Sequence, residues 1–245
     1  MKCEHSAATI VLLGRFQPDD FMPNRLVEKK IISSKDGAAA QFLTLIGGQA
    51  VQYKLPWATL LVANDRFQVS TSDMPFVRIS DLARKAIGEL DTHAVITAMG
   101  LNFDAHYDVG GFSDRDRIAC RLAPPEAWGN WGQAIKESMQ TTGPEGMEMH
   151  GGLMSQTMRL PLRLGSGLRG WRDVTIEPSN VIPDAKGIWL RTNLHHALDT
   201  PDEEKTDDKI FDNEEILERF LCRLDEAFDT AIIEAEEIFK GVIGL

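Results

Sequence analysis

The chain has 245 residues, 43% hydrophobic and 26% charged, with 20 glycines, 11 prolines and 3 cysteines. That composition belongs to a folded globular protein and excludes a disordered, collagen-like or disulfide-stapled chain. The length allows one large core or two smaller ones. The net charge of -11 argues against an extended nucleic-acid surface, which needs Lys and Arg to neutralise phosphates. The imbalance is local. Residues 199–240 hold 16 of the 37 acids and 5 of the 26 bases, an excess that equals the charge of the whole chain and leaves the rest neutral.

In chain order, residues 8–16 form an apolar, β-branched run that reads as a buried first strand, and 7–13 is too short and too poorly flanked for a signal segment. Pro18 with Asp19 and Asp20 then opens a helix read through Ile31, with Gly37 closing the unit. Between residues 40 and 72, runs FLTLI, AVQYKL, WATLLVA and RFQVSTS read as strands, with Gly47-Gly48 and Asn64-Asp65 as hairpin turns. Residues 76–90 have helical spacing, from Phe76 and Ile79 to Ile87 and Leu90.

The second half repeats this order. A strand is expected over 93–109, a helix over 115–122, and an irregular Gly-, Pro- and Trp-rich stretch over 123–151. Strands follow at 153–164, 171–177 and 187–198, then an acidic linker over 199–209 and a terminal helix over 210–243. Element order therefore predicts an α+β fold: an antiparallel sheet with helices on one face, built from a duplicated β-α-β(3–4)-α unit and ending in a long amphipathic helix. The halves divide at 1–91 and 92–245, as two units or as one compact domain.

The strand LNFDAHYDV places Asn102, Asp104, His106 and Asp108 on one face. Alternation of this kind is what a half-solvated strand shows. Asp104, His106 and Asp108 are also the residue types that hold a divalent cation. For the neighbouring pair His195 and His196, strand geometry sends the rings to opposite faces, with His196 inward. GSGLRG at 165–170 lacks the Lys-Ser/Thr of a phosphate-binding loop and reads as a hairpin. Around it, Arg159, Arg163, Arg169 and Arg172 make a candidate local phosphate site. No GxSxG, HExxH, dinucleotide fingerprint or Cys/His zinc spacing is present, and no cofactor is expected.

The terminal helix has the clearest pattern. Leu217, Leu221, Leu224, Phe228, Ala231, Ala235, Ile238 and Val242 follow heptad steps, with Asp212 and Glu215 at capping-box spacing. Extra apolar residues at Ile216, Phe220, Ala227 and Ile232 widen the stripe, which favours docking on the protein's own sheet over pairing with another helix. Leu217, Leu221, Leu224 and Phe228 of this helix, and Trp128 and Trp131 of the irregular stretch, are nevertheless the candidate interaction residues. Met139, Met147 and Met149 add soft apolar contacts to that stretch.

The first 110 residues resemble a sporadically distributed bacterial protein family with no assigned activity. The likeness rests on GRFQPDDFMPNRL, ANDRFQVST and TAMGLNFD, and within them on Arg15, Phe16, Pro18, Asp65, Arg66, Phe67, Gly100 and Asn102. It implies bacterial origin and an α+β fold, and supplies no catalytic residue. Cys3, Cys120 and Cys222 show no pairing or ligand spacing and suggest reduced, mostly packing thiols in the cytoplasm. No run of about 18 apolar residues predicts a membrane span. The leading expectation is a non-catalytic protein acting through protein contacts, as a homo-oligomer or with an operon-encoded partner in a defence or toxin-neutralising assembly. The alternatives are a metal-dependent hydrolase or nuclease using Asp104, His106 and Asp108, and a small-ligand binder with a pocket between sheet and terminal helix.

Overall fold

Two long strands, β1 (Lys2–Arg15) and β6 (Val95–Asp108), pair antiparallel along almost their full length at the centre of a nine-stranded sheet. The computed structural model describes residues 1–90, 94–140, 152–163, 168–183, 186–198 and 213–244. Beyond β1 come β2 (Gln41–Ile46), β3 (Ala50–Lys54), β4 (Thr59–Ala63) and β5 (Arg66–Thr71). Beyond β6 come β7 (Gln156–Arg163), β8 (Leu168–Pro178) and β9 (Gly187–Leu198). The strand order is β2-β3-β4-β5-β1-β6-β9-β8-β7 with every pair antiparallel. In each half the last strand of the meander returns to the central strand and the first lies at the edge. That is the duplicated unit, with four meander strands in the first half and three in the second.

Strand alternation sorts the residues between two faces. Ala8, Ile10 and Leu12 of β1 point to the same side as Met99, Leu101 and Phe103 of β6 and Leu190 and Leu194 of β9, and all are buried. Helix α3 (Val77–Leu90) covers this side over the first half with Ile79, Leu82, Ala83, Ala86 and Ile87, and α6 (Asn213–Ile243) packs on β6, β9 and α3. One hydrophobic cluster runs through both halves. Phe103 joins it to α6 and to the residue just before α3: its ring lies 5.6 Å from Phe76 and stacks at 5.7 Å on Phe239 of α6. The buried Tyr53 hydroxyl donates to the Phe21 carbonyl at 2.8 Å, and burial pushes the phenol above its ordinary range.

The terminal helix docks inside its own chain, as the width of its stripe predicts. Among its described side chains Leu224, Phe228, Ala231, Ala235, Phe239 and Ile243 are buried, while Ile238 and Val242 are only half-buried. A straight α-helix drifts off a strict heptad by about 20° per repeat, so the contact line moves from Ile238 to Phe239 and from Val242 to Ile243. Among the described residues no helix is long and apolar enough to cross a membrane.

The first strand, read over 8–16, starts already at Lys2 and ends at Arg15, and two further stretches differ from expectation. The helix read from Pro18 through Ile31 is a 3-10 turn (Pro18–Phe21) and a short α1 (Pro23–Glu28), because Pro23 at the first helical position restarts the helix. Gly37 lies inside α2 (Ser34–Ala38) and does not close the unit. After α4 (Phe112–Leu122), the stretch read as irregular is helical where described: a 3-10 turn (Pro125–Trp128) runs into α5 (Gly129–Gln140). Gly132 is what misleads. A Cβ there would sit 1.8 Å from the Pro125 carbonyl oxygen, so close packing demands the glycine that helix propensity penalises. Met147 and Met149, the linker over 199–209 and the Asp212 cap lie outside the described residues.

Candidate functional site

The two edges of the sheet are built differently. Among the described residues β2 pairs with β3 only, and its six residues, QFLTLI, contain neither charge nor proline. Phe42, Leu43, Leu45 and Ile46 are 48%, 58%, 57% and 50% exposed. A register shift between Phe42 and Thr44 marks a bulge at Leu43, which sets Phe42 and Leu45 opposite Tyr53 and Val51 on the helix side of the sheet. At the far edge, β7 exposes Met158 and Leu160 but also carries Arg159, Pro161 and Arg163. Charge and proline are the usual protection of a strand edge, because they oppose the docking of a further strand. β7 has both and β2 has neither.

The candidate interaction residues fall into two groups. Leu224 and Phe228 are core residues of this chain, Leu221 is half-buried beside them, and the Leu217 side chain lies outside the described residues. Trp128 and Trp131 are exposed, their rings edge to face at 5.4 Å. Of the thiols, Cys3 and Cys222 are exposed and Cys120 is half-buried against Met139, so only one serves in packing.

Asp104, His106 and Asp108 do share the face opposite the helices. Successive same-face residues on a strand stand about 7 Å apart, and each of these side chains is engaged locally. Among the described residues no group of three or more His, Cys, Asp or Glu comes together as a metal site would require. Asp108 accepts the Gly110 N–H at 2.7 Å. His106 Nδ1 lies 2.8 Å from the Ser179 hydroxyl, whose oxygen already accepts the N–H groups of Val181 and Ile182. Ser179 therefore donates to His106, which makes Nδ1 an acceptor and leaves the ring neutral. Burial lowers the His106 pKa, and it raises that of Asp104 against the pull of Arg191 and a hydrogen bond from Trp189.

Of the four arginines, Arg159, Arg163 and Arg169 fall on the open face, with Arg163 directly opposite Arg169, while Arg172 falls on the other. Arg159 makes a bidentate pair with Asp173, both contacts at 2.7 Å, and its guanidinium lies over Trp171. Arg172 pairs with Glu234 of α6 on the helix side. The alternation of β8 sends Arg169 to the open face, away from Arg172. Arg163 ends β7, and its side chain lies outside the described residues.

Sequence reasoning missed what occupies that open face. His195 stacks on Trp171 at 4.1 Å with Arg159 and Asp173 beside it. His106 stacks on Trp189 at 6.3 Å with Arg191 and Asp104 beside it. Each cluster thus unites a Trp, an Asp, an Arg and a His, and His5 lies edge to face with His106 in the second. The available signal was the alternation of Trp189, Arg191, Asn193 and His195 along β9, as regular as that in β6. His195 and His196 point to opposite faces, with His196 buried toward the helices, as strand geometry predicts.

A comparison with protein-family models finds none that matches this chain, and one with curated proteins finds no match.

Proposed function

We propose that the protein acts without catalysis, through protein contacts, and that its primary contact is a second copy of the chain paired along β2. The observation that carries this reading is the contrast between an unguarded apolar edge and a guarded one. The strand is also self-complementary. An antiparallel pairing about a two-fold axis between Leu43 and Thr44 sets Phe42 against Leu45 of the second copy and Gln41 against Ile46, each pair on one common face of the sheet. The six residues bring no like charges together, and none of them belongs to the acidic stretch 199–240. The reading also takes the protein as cytosolic, in keeping with three free thiols.

Light scattering after size exclusion tests it. Full-length protein should show twice the 27.3 kDa chain mass. The double variant Leu43→Lys, Leu45→Lys should run at the single-chain mass with unchanged circular dichroism, since both side chains point into solvent in one copy. Wild-type protein that stays at 27.3 kDa throughout a micromolar concentration series, or a double variant that stays dimeric, overturns the proposal.

A further inference from the structure

The open face of the first half carries a cavity that the dimer reading does not use. It has a volume of about 310 Å³, at the lower end of the range for small-molecule sites. Its walls are the β3–β4 connection and the end of β5, and these are tied together. The Thr71 hydroxyl donates to the Trp57 carbonyl at 2.6 Å and accepts the Asp73 N–H at 2.9 Å, while the Leu55 N–H reaches the Ala58 carbonyl at 2.7 Å. The Arg78 guanidinium sits 4.0 Å above the Trp57 ring and holds it from behind.

The polar groups that line this cavity are set out by register. Lys54 is directly opposite Thr59, and Thr59 is directly opposite Ser70, so three neighbouring strands send an ammonium and two hydroxyls out of one face in a row. Opposed side chains on paired strands lie about 5 Å apart at Cβ. Ser72 adds a hydroxyl, and the Trp57 ring forms part of the wall. Among the described residues the side-chain polar atoms of Lys54, Thr59, Ser70 and Ser72 make no hydrogen bond or ion pair. Donors thus dominate the site, and the single carboxylate, Asp73, is placed to accept from a hydroxyl.

We infer that this cavity binds a small hydroxylated oxyanion of the sugar-phosphate class, with Lys54 and the hydroxyls of Thr59, Ser70 and Ser72 on the phosphate and Asp73 on a sugar hydroxyl. A ligand that binds only the folded state raises the melting temperature according to its concentration relative to Kd. Ribose 5-phosphate, inorganic phosphate and ribose are the probes, each at about 10 mM with full-length protein at one fixed concentration. Ribose 5-phosphate should raise Tm by a few degrees, phosphate by less, and ribose not at all.

Lys54→Met removes an exposed charge and should leave the unliganded Tm unchanged while abolishing both gains. Ala7→Phe, which fills the cavity floor, should abolish them as well. Lys35→Met, on the distant α2, should abolish neither. No gain with either phosphate probe, an equal gain in Lys54→Met, or a gain with ribose alone overturns the assignment. None of these results bears on the mass in solution, so this site and the β2 contact succeed or fail separately.

Discussion

The two halves of the sheet follow one topological plan and spend their side chains differently. The second half closes on itself. Its terminal helix supplies Leu224, Phe228, Phe239 and Ile243 to the core, its edge strand is guarded by Arg159 and Pro161, and its open face is filled by two Trp-Asp-Arg-His clusters. The first half stays open. Its edge strand exposes Phe42, Leu43, Leu45 and Ile46, and its open face carries the unengaged row of Lys54, Thr59 and Ser70. Where a duplicated fold leaves one copy satisfied and the other not, the unsatisfied copy is the place to look for contacts with other molecules.

The largest expected effect tests whether the halves share one core at all. Phe239 is fully buried, stacked on Phe103 and edge to face with Tyr107, so it ties the last helix of the second half to the central strand. Phe239→Ala should cost about 3–5 kcal/mol by the usual sum of lost burial and cavity. In the first half, Phe67 packs on Phe16 and Phe21 at 6.2 and 5.4 Å, and Phe67→Ala should cost a similar amount. Urea unfolding followed by fluorescence and circular dichroism should give one coincident transition in each variant. A split transition, or a Phe239→Ala cost below about 1 kcal/mol, would show that the second half does not depend on the helix docked upon it.

The edges sharpen the comparison next. Leu160 is as exposed as Leu43, yet Leu160→Lys should leave the mass in solution at its wild-type value, because β7 is not where a further strand docks. The converse change removes a guard. Pro161→Thr restores a backbone N–H on β7. Placed in the Leu43→Lys, Leu45→Lys background, it should bring back concentration-dependent association in light scattering. If Leu160→Lys alone dissociates the dimer, the guarded and unguarded edges have been assigned the wrong way round.

Much of this difference was legible in the sequence, and the parts that were not have physical reasons. Strands are written in alternation, so β3, β4, β5 and β9 could be bounded within a residue or two, and the inward turn of His196 followed from its neighbours Leu194 and Leu198. The width of the apolar stripe on α6 placed that helix on its own sheet. The guard on an edge is legible only once strand order is known, because QFLTLI reads as well for a buried central strand as for a bare edge. Strand order depends on pairing between residues far apart in the chain, such as Ile10 with Leu101. The Asp104, His106 and Asp108 face was found but its meaning was not: Trp189, Arg191 and Ser179, which engage it, come from β9 and the turn before it. The helix over 129–140 was hidden by Gly132, whose packing reason lies at Pro125.

The smallest effect expected is a pH dependence carried by the second half. His106, His195 and His196 all have pKa values lowered chiefly by burial. At His196 the neighbouring His195, Arg223 and Arg172 push the same way; at His106 the Asp104 carboxylate pushes back. A histidine whose folded pKa lies below its unfolded value of about 6.5 takes up its proton more readily when unfolded. The stability it contributes is therefore complete above pH 6.5 and is lost as pH falls from there through the folded pKa. Asp104 has the opposite sign, since burial raises its carboxyl pKa, but a carboxyl acts over a lower pH range, beneath most of the histidine loss. Urea midpoints should accordingly fall between pH 7.5 and 5.5 in the wild type and fall less in His196→Gln, which keeps a neutral polar group at the buried position. A wild-type midpoint that rises on acidification, or a His196→Gln slope equal to that of the wild type, would mean that the second half does not hold its histidines neutral and is less closed than its packing implies.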